Sequence, residues 1–481
     1  MQIDLVAVLP ELILTVALCG ILTIDLFLPE GRRWLAMPLS VVGVAATLAA
    51  VINLAGGRHV TFGGMFVVDR FSVLFKVIFC VAALIVFLIS HDYLKDDEIH
   101  QGEYYTLILS SLLGMLTIAS SRDLILIFVA LELISLPTFV LAGVRKSDVK
   151  SNEASLKFFL FGVLSTTVML FGMSLIYGLT GSTNLTAISQ ALEAGSGLDQ
   201  IAILSIFFII VGFGFKVSIF PFQWWVPDTY EGSPVPIAAF LSVASKTAGF
   251  VGLFQVMFIA FGGLADVWRP FLGLLGVLTM TFGNLVALWQ RHLIRLLAYS
   301  SIGQAGYILI PLGVASATNR DLNNEVFFAS VAYLLIYAFM ETGAFAAAIA
   351  FGRKGGGYLV SDYAGLFSRA PALALVMAIF LLSLAGMFPL AGWAAKFFVF
   401  KTLIDGQGVW LAVIMAINTV IALFYYAAVV KRMFFDEAED SRVIKVPVPL
   451  AGALAATSAV VLVVGVLPDL FGQLARQSVP F

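Results

Sequence analysis

The chain has 481 residues, 61% of them hydrophobic and only 12% charged, with a formal net charge of −2. So few charges cannot cover a soluble domain of this length, and a near-neutral balance gives nucleic acid nothing to bind. Two cysteines, Cys19 and Cys80, lie in apolar runs without CxxC or metal-ligand spacing, which excludes a cysteine-built metal or redox centre.

Apolar stretches of bilayer length, about 20 residues each, recur from end to end. They predict about fourteen spans, starting near Leu5, Ala36, Phe71, Tyr105, Leu124, Leu156, Ile201, Val235, Pro270, Leu293, Val326, Leu373, Val409 and Val448. The predicted fold class is therefore an all-α polytopic membrane protein. The first stretch lacks a basic leader and a small-residue cleavage site, so it is expected to stay as a span. Lysine and arginine concentrate in the odd-numbered connections, at Arg32, Arg33, Arg145, Lys146, Lys150, Arg291, Arg295, Lys431 and Arg432 among others. Basic residues favour the cytoplasmic side, which predicts that both termini are periplasmic.

The seventh span contains "IFPFQWW" (Ile219 to Trp225) and the twelfth "MFPLAGW" (Met387 to Trp393), both reading Phe-Pro-x-x-x-Trp. Proline removes a backbone donor, so Pro221 and Pro389 are predicted to interrupt these helices and leave hydratable spots in the membrane. Spans an odd number apart cross in opposite directions, which suggests an inverted repeat. The expected divisions are 1–100 for spans one to three, 101–262 for spans four to eight, 263–435 for spans nine to thirteen, and 436–481 for the last.

An ionisable group at helix centre costs roughly 2.5–3.5 kcal/mol and usually marks function. Lys76, Lys157 and Lys401 lie close enough to span ends to reach the interface. Lys216, Lys246 and Lys396 lie deeper, and Glu132 and Glu341 are the deepest acids. Burial and opposite charge pull the protonation equilibrium in opposite senses, so a buried Glu–Lys pair can be tuned until moving a proton costs little. His59, His91, His100 and His292 all fall at helix ends or in loops, which argues against haem ligation inside the bilayer. With no redox centre visible, any energy source is a partner or an ion gradient.

Long stretches then carry a resemblance: "DLILIFVALELISLPTFVLAG" (Asp123 to Gly143), "WWVPDTYEGSPVPIAAFLSVASKTAGF" (Trp224 to Phe250), "LLAYSSIGQAGYILI" (Leu296 to Ile310) and "DYAGLFSRAPALALVMAIFLLSLAGMFPLAGWAAKFFVF" (Asp362 to Phe400). These resemble the antiporter-like proton-pumping subunits of respiratory complex I, and the last is most similar to the N-type branch. The resemblance implies fourteen helices with two inverted five-helix repeats and interrupted helices seven and twelve. It also implies a membrane-arm subunit of an NADH:quinone oxidoreductase in the bacterial inner membrane, moving protons driven by quinone reduction elsewhere. Glu132 matches the glutamate of helix five and Lys216 the lysine of helix seven, expected to form a charge pair. Lys246 matches the central lysine of helix eight, Lys396 the ionisable residue of helix twelve, and Lys157 a lysine on the cytoplasmic side of helix six.

The implied partners are neighbouring antiporter-like subunits, the rest of the membrane arm and lipid. Quinone, NADH, FMN and iron–sulfur clusters are expected in partner subunits, and no cofactor in this chain. The same fold serves multi-subunit cation/proton antiporters, the alternative reading. Two departures stand out. "GMFPLAGW" replaces the usual "GIPPLAGF", and Gln304 stands where larger relatives carry histidine. Glu341 has no counterpart in the family scheme, and fits an extra relay group and an acid bonded to a neighbour equally.

Overall fold

The computed structural model describes residues 4–95, 99–194, 200–355, 357–438 and 444–479. Thirteen of its helices are long and apolar enough to cross a membrane. Spans one to six are Leu9–Phe27, Arg32–Asn53, Arg70–Leu94, Gln101–Ser120, Leu124–Ala142 and Val149–Thr180. Spans seven to eleven are Gln200–Val217, Val235–Ala260, Gly262–Ala287, Leu293–Val314 and Arg320–Arg353. Span twelve is split into Pro371–Ala385 and Ala391–Asp405. Spans thirteen and fourteen are Val409–Phe435 and Val448–Val466. Each half of span twelve has 15 residues, too few to cross alone, which reconciles thirteen long helices with the fourteen expected.

Burial sorts the spans. The apolar windows of spans eight, ten and eleven are 100%, 89% and 94% buried, against 22% for span one and 33% for spans six and thirteen. Spans eight, ten and eleven therefore form the axis around which the others pack. Small residues permit the tightest contact. A Cβ on Gly283 would lie 2.5 Å from the Gly303 nitrogen, and one on Gly306 would lie 2.5 Å from the Met280 nitrogen. Spans nine and ten thus touch backbone to backbone, as small-residue faces allow in membranes.

Some elements had no signal in the sequence reading. An antiparallel hairpin pairs His59–Thr61 with Phe66–Val68 between spans two and three. The helix Leu185–Ala194 fills the connection between spans six and seven, and Asp469–Gln477 follows span fourteen. Span eight contains two π turns, Leu241–Ser245 and Val256–Ala260. Such turns concentrate at functional sites, and the first ends immediately before Lys246.

The two breaks are built alike. In the first, the Ile219 N–H donates to the Gly214 carbonyl at 2.9 Å and the Phe222 N–H to that of Ile219 at 2.7 Å. In the second, Met387 donates to Leu382 at 3.0 Å and Leu390 to Met387 at 3.0 Å. Counted from the proline, these are the same three residues, seven and two before it and one after it. The tryptophan four residues on donates its indole N–H to a carbonyl in each case, Trp225 to Phe215 at 3.2 Å and Trp393 to Gly465 at 3.1 Å. Beyond the first break the short helix Trp225–Gly232 leads to the surface.

Candidate functional site

Lys216 is the penultimate residue of span seven and is buried. Gly249 of span eight lets it settle there, since a Cβ at that position would lie 2.9 Å from Lys216 Cγ. Its ammonium donates to Ser135 Oγ of span five at 2.9 Å. Glu132 lies three residues before Ser135, half-buried, with Oε1 enclosed and without a hydrogen-bond partner among the described residues. Among the described residues no ion pair within 4.0 Å joins Lys216 to Glu132. The Lys216 ammonium bonds the Ser135 hydroxyl, one turn along span five from Glu132, in place of the expected direct charge pair.

Lys246 is buried on the axial span eight, and its ammonium donates to the Ser301 carbonyl at 2.9 Å and to Ser301 Oγ at 3.0 Å. Lys396 follows the second break. Gly386, with φ of 93°, ends the preceding helix in a conformation that side chains resist, and it frees the Ala385 carbonyl to accept from the Lys396 ammonium at 2.9 Å. The same ammonium lies 4.6 Å from the centroid of the Tyr307 ring.

A polar strip connects the last two lysines. Ser300, beside Ser301, hydrogen-bonds the Tyr426 hydroxyl. Gln304 donates to Tyr426 at 3.4 Å and to the Leu384 carbonyl at 3.2 Å, next to the Ala385 carbonyl that holds Lys396. Tyr333 donates to the Gln304 carbonyl oxygen at 2.5 Å. Asn284 donates to Tyr307 at 3.1 Å and accepts from Tyr425 at 3.1 Å. Sequence reasoning reached only Gln304. Tyrosine and asparagine in an apolar span are the signal that would have found the rest.

Lys157 is not buried. Its ammonium lies 2.6 Å from Asp228 and 2.7 Å from Glu153. Arg295 bonds Asp228 at 2.8 Å and Glu231 at 2.9 Å, and Lys150 reaches Glu231 at 3.3 Å. Lys150, Glu153, Asp228, Glu231 and Arg295 line a cavity of about 170 Å³ on the lysine- and arginine-rich side. Burial works against the charge on Asp228, yet the bonds from Lys157 and Arg295 outweigh it and hold its carboxyl below the usual range. Glu231 is likewise lowered against burial, by Arg295 and Lys150. Burial holds the nearby His292 imidazole below its ordinary value. Spacing alone does not show that spans six and ten bring this segment its counter-charges.

Lys76, placed near the interface by sequence, is instead fully buried and pairs with Glu11 of span one at 2.7 Å. Arg122 is buried too, bonded to Asp69 at 2.6 Å and to Gln255. Glu341 is fully buried, and among the described residues neither carboxylate oxygen has a hydrogen-bond partner. Among the described residues, no group of three or more His, Cys, Asp or Glu is placed to hold a metal ion.

The family profile described as NADH:quinone oxidoreductase/Mrp antiporter, TM, matches residues 121–422. The NADH-quinone oxidoreductase subunit N of Trichlorobacter lovleyi is 38% identical over 99% of this chain and 97% of its own length. The F(420)H(2) dehydrogenase subunit N of Methanosarcina mazei is 38% identical over 98% of each chain. A chain of respiratory complex I from Thermus thermophilus superposes with a TM-score of 0.81 at 29% identity, covering 97% of this chain and 99% of that one. A chain of the Mrp complex from a Dietzia species, 19% identical over 99% and 97% of the two chains, superposes at 0.88 and shares the fold. With near-complete coverage in both directions and the buried lysines on interrupted spans, the chain belongs to the family of antiporter-like membrane subunits that includes NADH-quinone oxidoreductase subunit N.

Proposed function

We propose that this chain translocates protons as a membrane-arm subunit of an NADH:quinone oxidoreductase, through Glu132, Lys216, Lys246 and Lys396, with Lys157 in the cluster on the cytoplasmic side. One observation carries the reading. Lys216, Lys246 and Lys396 are buried, yet each ammonium is held by neutral oxygens: a serine hydroxyl, a serine carbonyl and hydroxyl, and a backbone carbonyl. A structural buried lysine takes a carboxylate, as Lys76 does with Glu11. Ammonium groups held only by neutral acceptors can give up a proton without stranding a counter-ion.

The matching hydrogen bonds at Pro221 and Pro389 support the inverted repeat of 101–262 and 263–435. In that arrangement the first half opens to the cytoplasm, the second to the periplasm, and both termini are periplasmic. Redox energy comes from quinone reduction in partner subunits that hold the NADH, FMN and iron–sulfur sites. Neighbouring antiporter-like subunits flank the chain.

The test uses the intact complex, purified through a tag on this chain and reconstituted in liposomes. Quinone-reducing and iron–sulfur subunits should co-purify, and Lys246→Met should cut proton uptake per quinone reduced while the complex stays assembled. Co-purification with antiporter subunits alone, or undiminished proton uptake in Lys246→Met, would overturn the reading.

A further inference from the structure

Glu341 is the buried acid that the path above does not use, and its place in the fold gives it work. Three residues on one face of span eleven, four apart, mark its depth. Tyr337 donates its hydroxyl to the Ser242 carbonyl of span eight at 3.1 Å. Phe345 packs against Tyr230, with ring centroids 6.2 Å apart. Glu341 lies between them. Ser242 is one turn before Lys246, and Tyr337 is one turn before Glu341. Spans eight and eleven run antiparallel, and helical side chains lean toward their own N-terminus. Lys246 and Glu341 therefore lean toward each other from either side of the Tyr337–Ser242 contact, and each acts electrostatically on the other. On the far side, Tyr230 directly precedes Glu231, which lines the charged cavity.

The carboxyl is fully buried with no donor for either oxygen among the described residues, and the Tyr230 hydroxyl beside it is enclosed as well. A carboxylate left so would cost several kcal/mol, far more than the protonated acid. The charged groups on this face are Lys246 and Glu341, and the hydroxyls that Glu341 acts on are Tyr230, Tyr333, Tyr337, Tyr425 and Tyr426.

We propose that Glu341 loads Lys246 with protons drawn from the Asp228–Glu231–Arg295 cavity past Tyr230, an inference that rests on Lys246 being a relay. In the step, the Glu341 carboxylic acid gives its proton to the neutral Lys246 amine, leaving carboxylate and ammonium. When the ammonium passes its proton toward Lys396, the carboxylate is reprotonated from the cavity, and the neutral pair is restored.

The experiment compares Glu341→Gln, Glu341→Asp and Lys246→Met in the reconstituted complex. Glu341→Gln should assemble, since it removes no hydrogen bond, yet lose proton translocation by roughly 100-fold, the lower end of what a positioned proton carrier contributes. Glu341→Asp should restore part of it. A carboxylic-acid C=O band should appear in turnover-induced infrared difference spectra of the wild-type complex and vanish in Glu341→Gln, a signal that a packing role would not produce. Full translocation in Glu341→Gln, an unchanged carboxyl band, or failure of Glu341→Gln to assemble would each overturn the proposal. Normal translocation in Lys246→Met would instead remove the relay on which it stands, so the two failures are distinct.

Discussion

At the scale of single residues, the acceptor of each buried ammonium decides its role. Lys216→Met should abolish translocation while assembly persists, because an apolar group relieves the cost of burying a charge. Lys216→Arg should fail as well, since guanidinium does not release its proton; wild-type proton uptake in either variant would sink the relay role. Glu132 lies one helical turn before Ser135, which accepts from the Lys216 ammonium, so removing both Glu132 and Lys216 should cost less than the sum of the single losses. A double-mutant cycle on translocation rate measures this, and strict additivity would make Glu132 a local acid. Asp228 has a different task. Its folded pKa is depressed, so its contribution to stability is present above the ordinary carboxylate value of about 3.9 and is lost as pH falls through the lower folded value. Asp228→Asn, which unpairs Lys157 and Arg295, should therefore lower the unfolding temperature equally at about pH 6 and pH 8. A loss found at one pH only would contradict the ion-pair account.

At the scale of elements, the breaks owe their shape to small residues as much as to proline. A Cβ on Gly392 would lie 1.7 Å from the Ser383 carbonyl oxygen, with the Ser383 hydroxyl already accepting from the Gly392 N–H at 3.0 Å. Gly392→Ala should cost about 3 kcal/mol or more, the upper range for overpacking, and deplete assembled complex on native gels. Gly20, whose Cβ would meet nothing within 4 Å, is the control, and Gly20→Ala should change stability by less than about 1 kcal/mol. Equal behaviour of the two would show that the second break tolerates being pried open. The departure of Phe388 and Trp393 from the family pattern leaves the break intact, because its hydrogen bonds are backbone bonds around Pro389 and the Trp393 indole closes on span fourteen.

At the scale of the whole molecule, orientation follows from charge. The cluster of Lys150, Lys157, Asp228, Glu231 and Arg295 gathers on the side that holds the excess of lysine and arginine. With that side cytoplasmic, alkaline phosphatase fused after the last residue should be active and a cytoplasm-dependent fluorescent protein dark. The opposite pattern would reverse the direction assigned to uptake at the cluster.

The sequence by itself determined the fold class, the spans, the two interruptions, the buried residues Lys216, Lys246, Lys396 and Glu341, and Glu132 as an acid deep in its span. It could do so because bilayer length, proline chemistry and the cost of a buried charge all act locally, on residues near one another in the chain. Only the tertiary structure decided which groups meet. Nothing in the segment around Lys216 names Ser135 as its acceptor, and nothing around Lys76 names Glu11. The π turn before Lys246, the Gln304–Tyr426 strip and the ladder of Tyr337, Glu341 and Phe345 against Ser242 and Tyr230 all depend on how spans eight, ten and eleven pack. Partners distant in sequence are chosen by helix packing, and apolar periodicity is silent about them in a chain whose helices are apolar on every side.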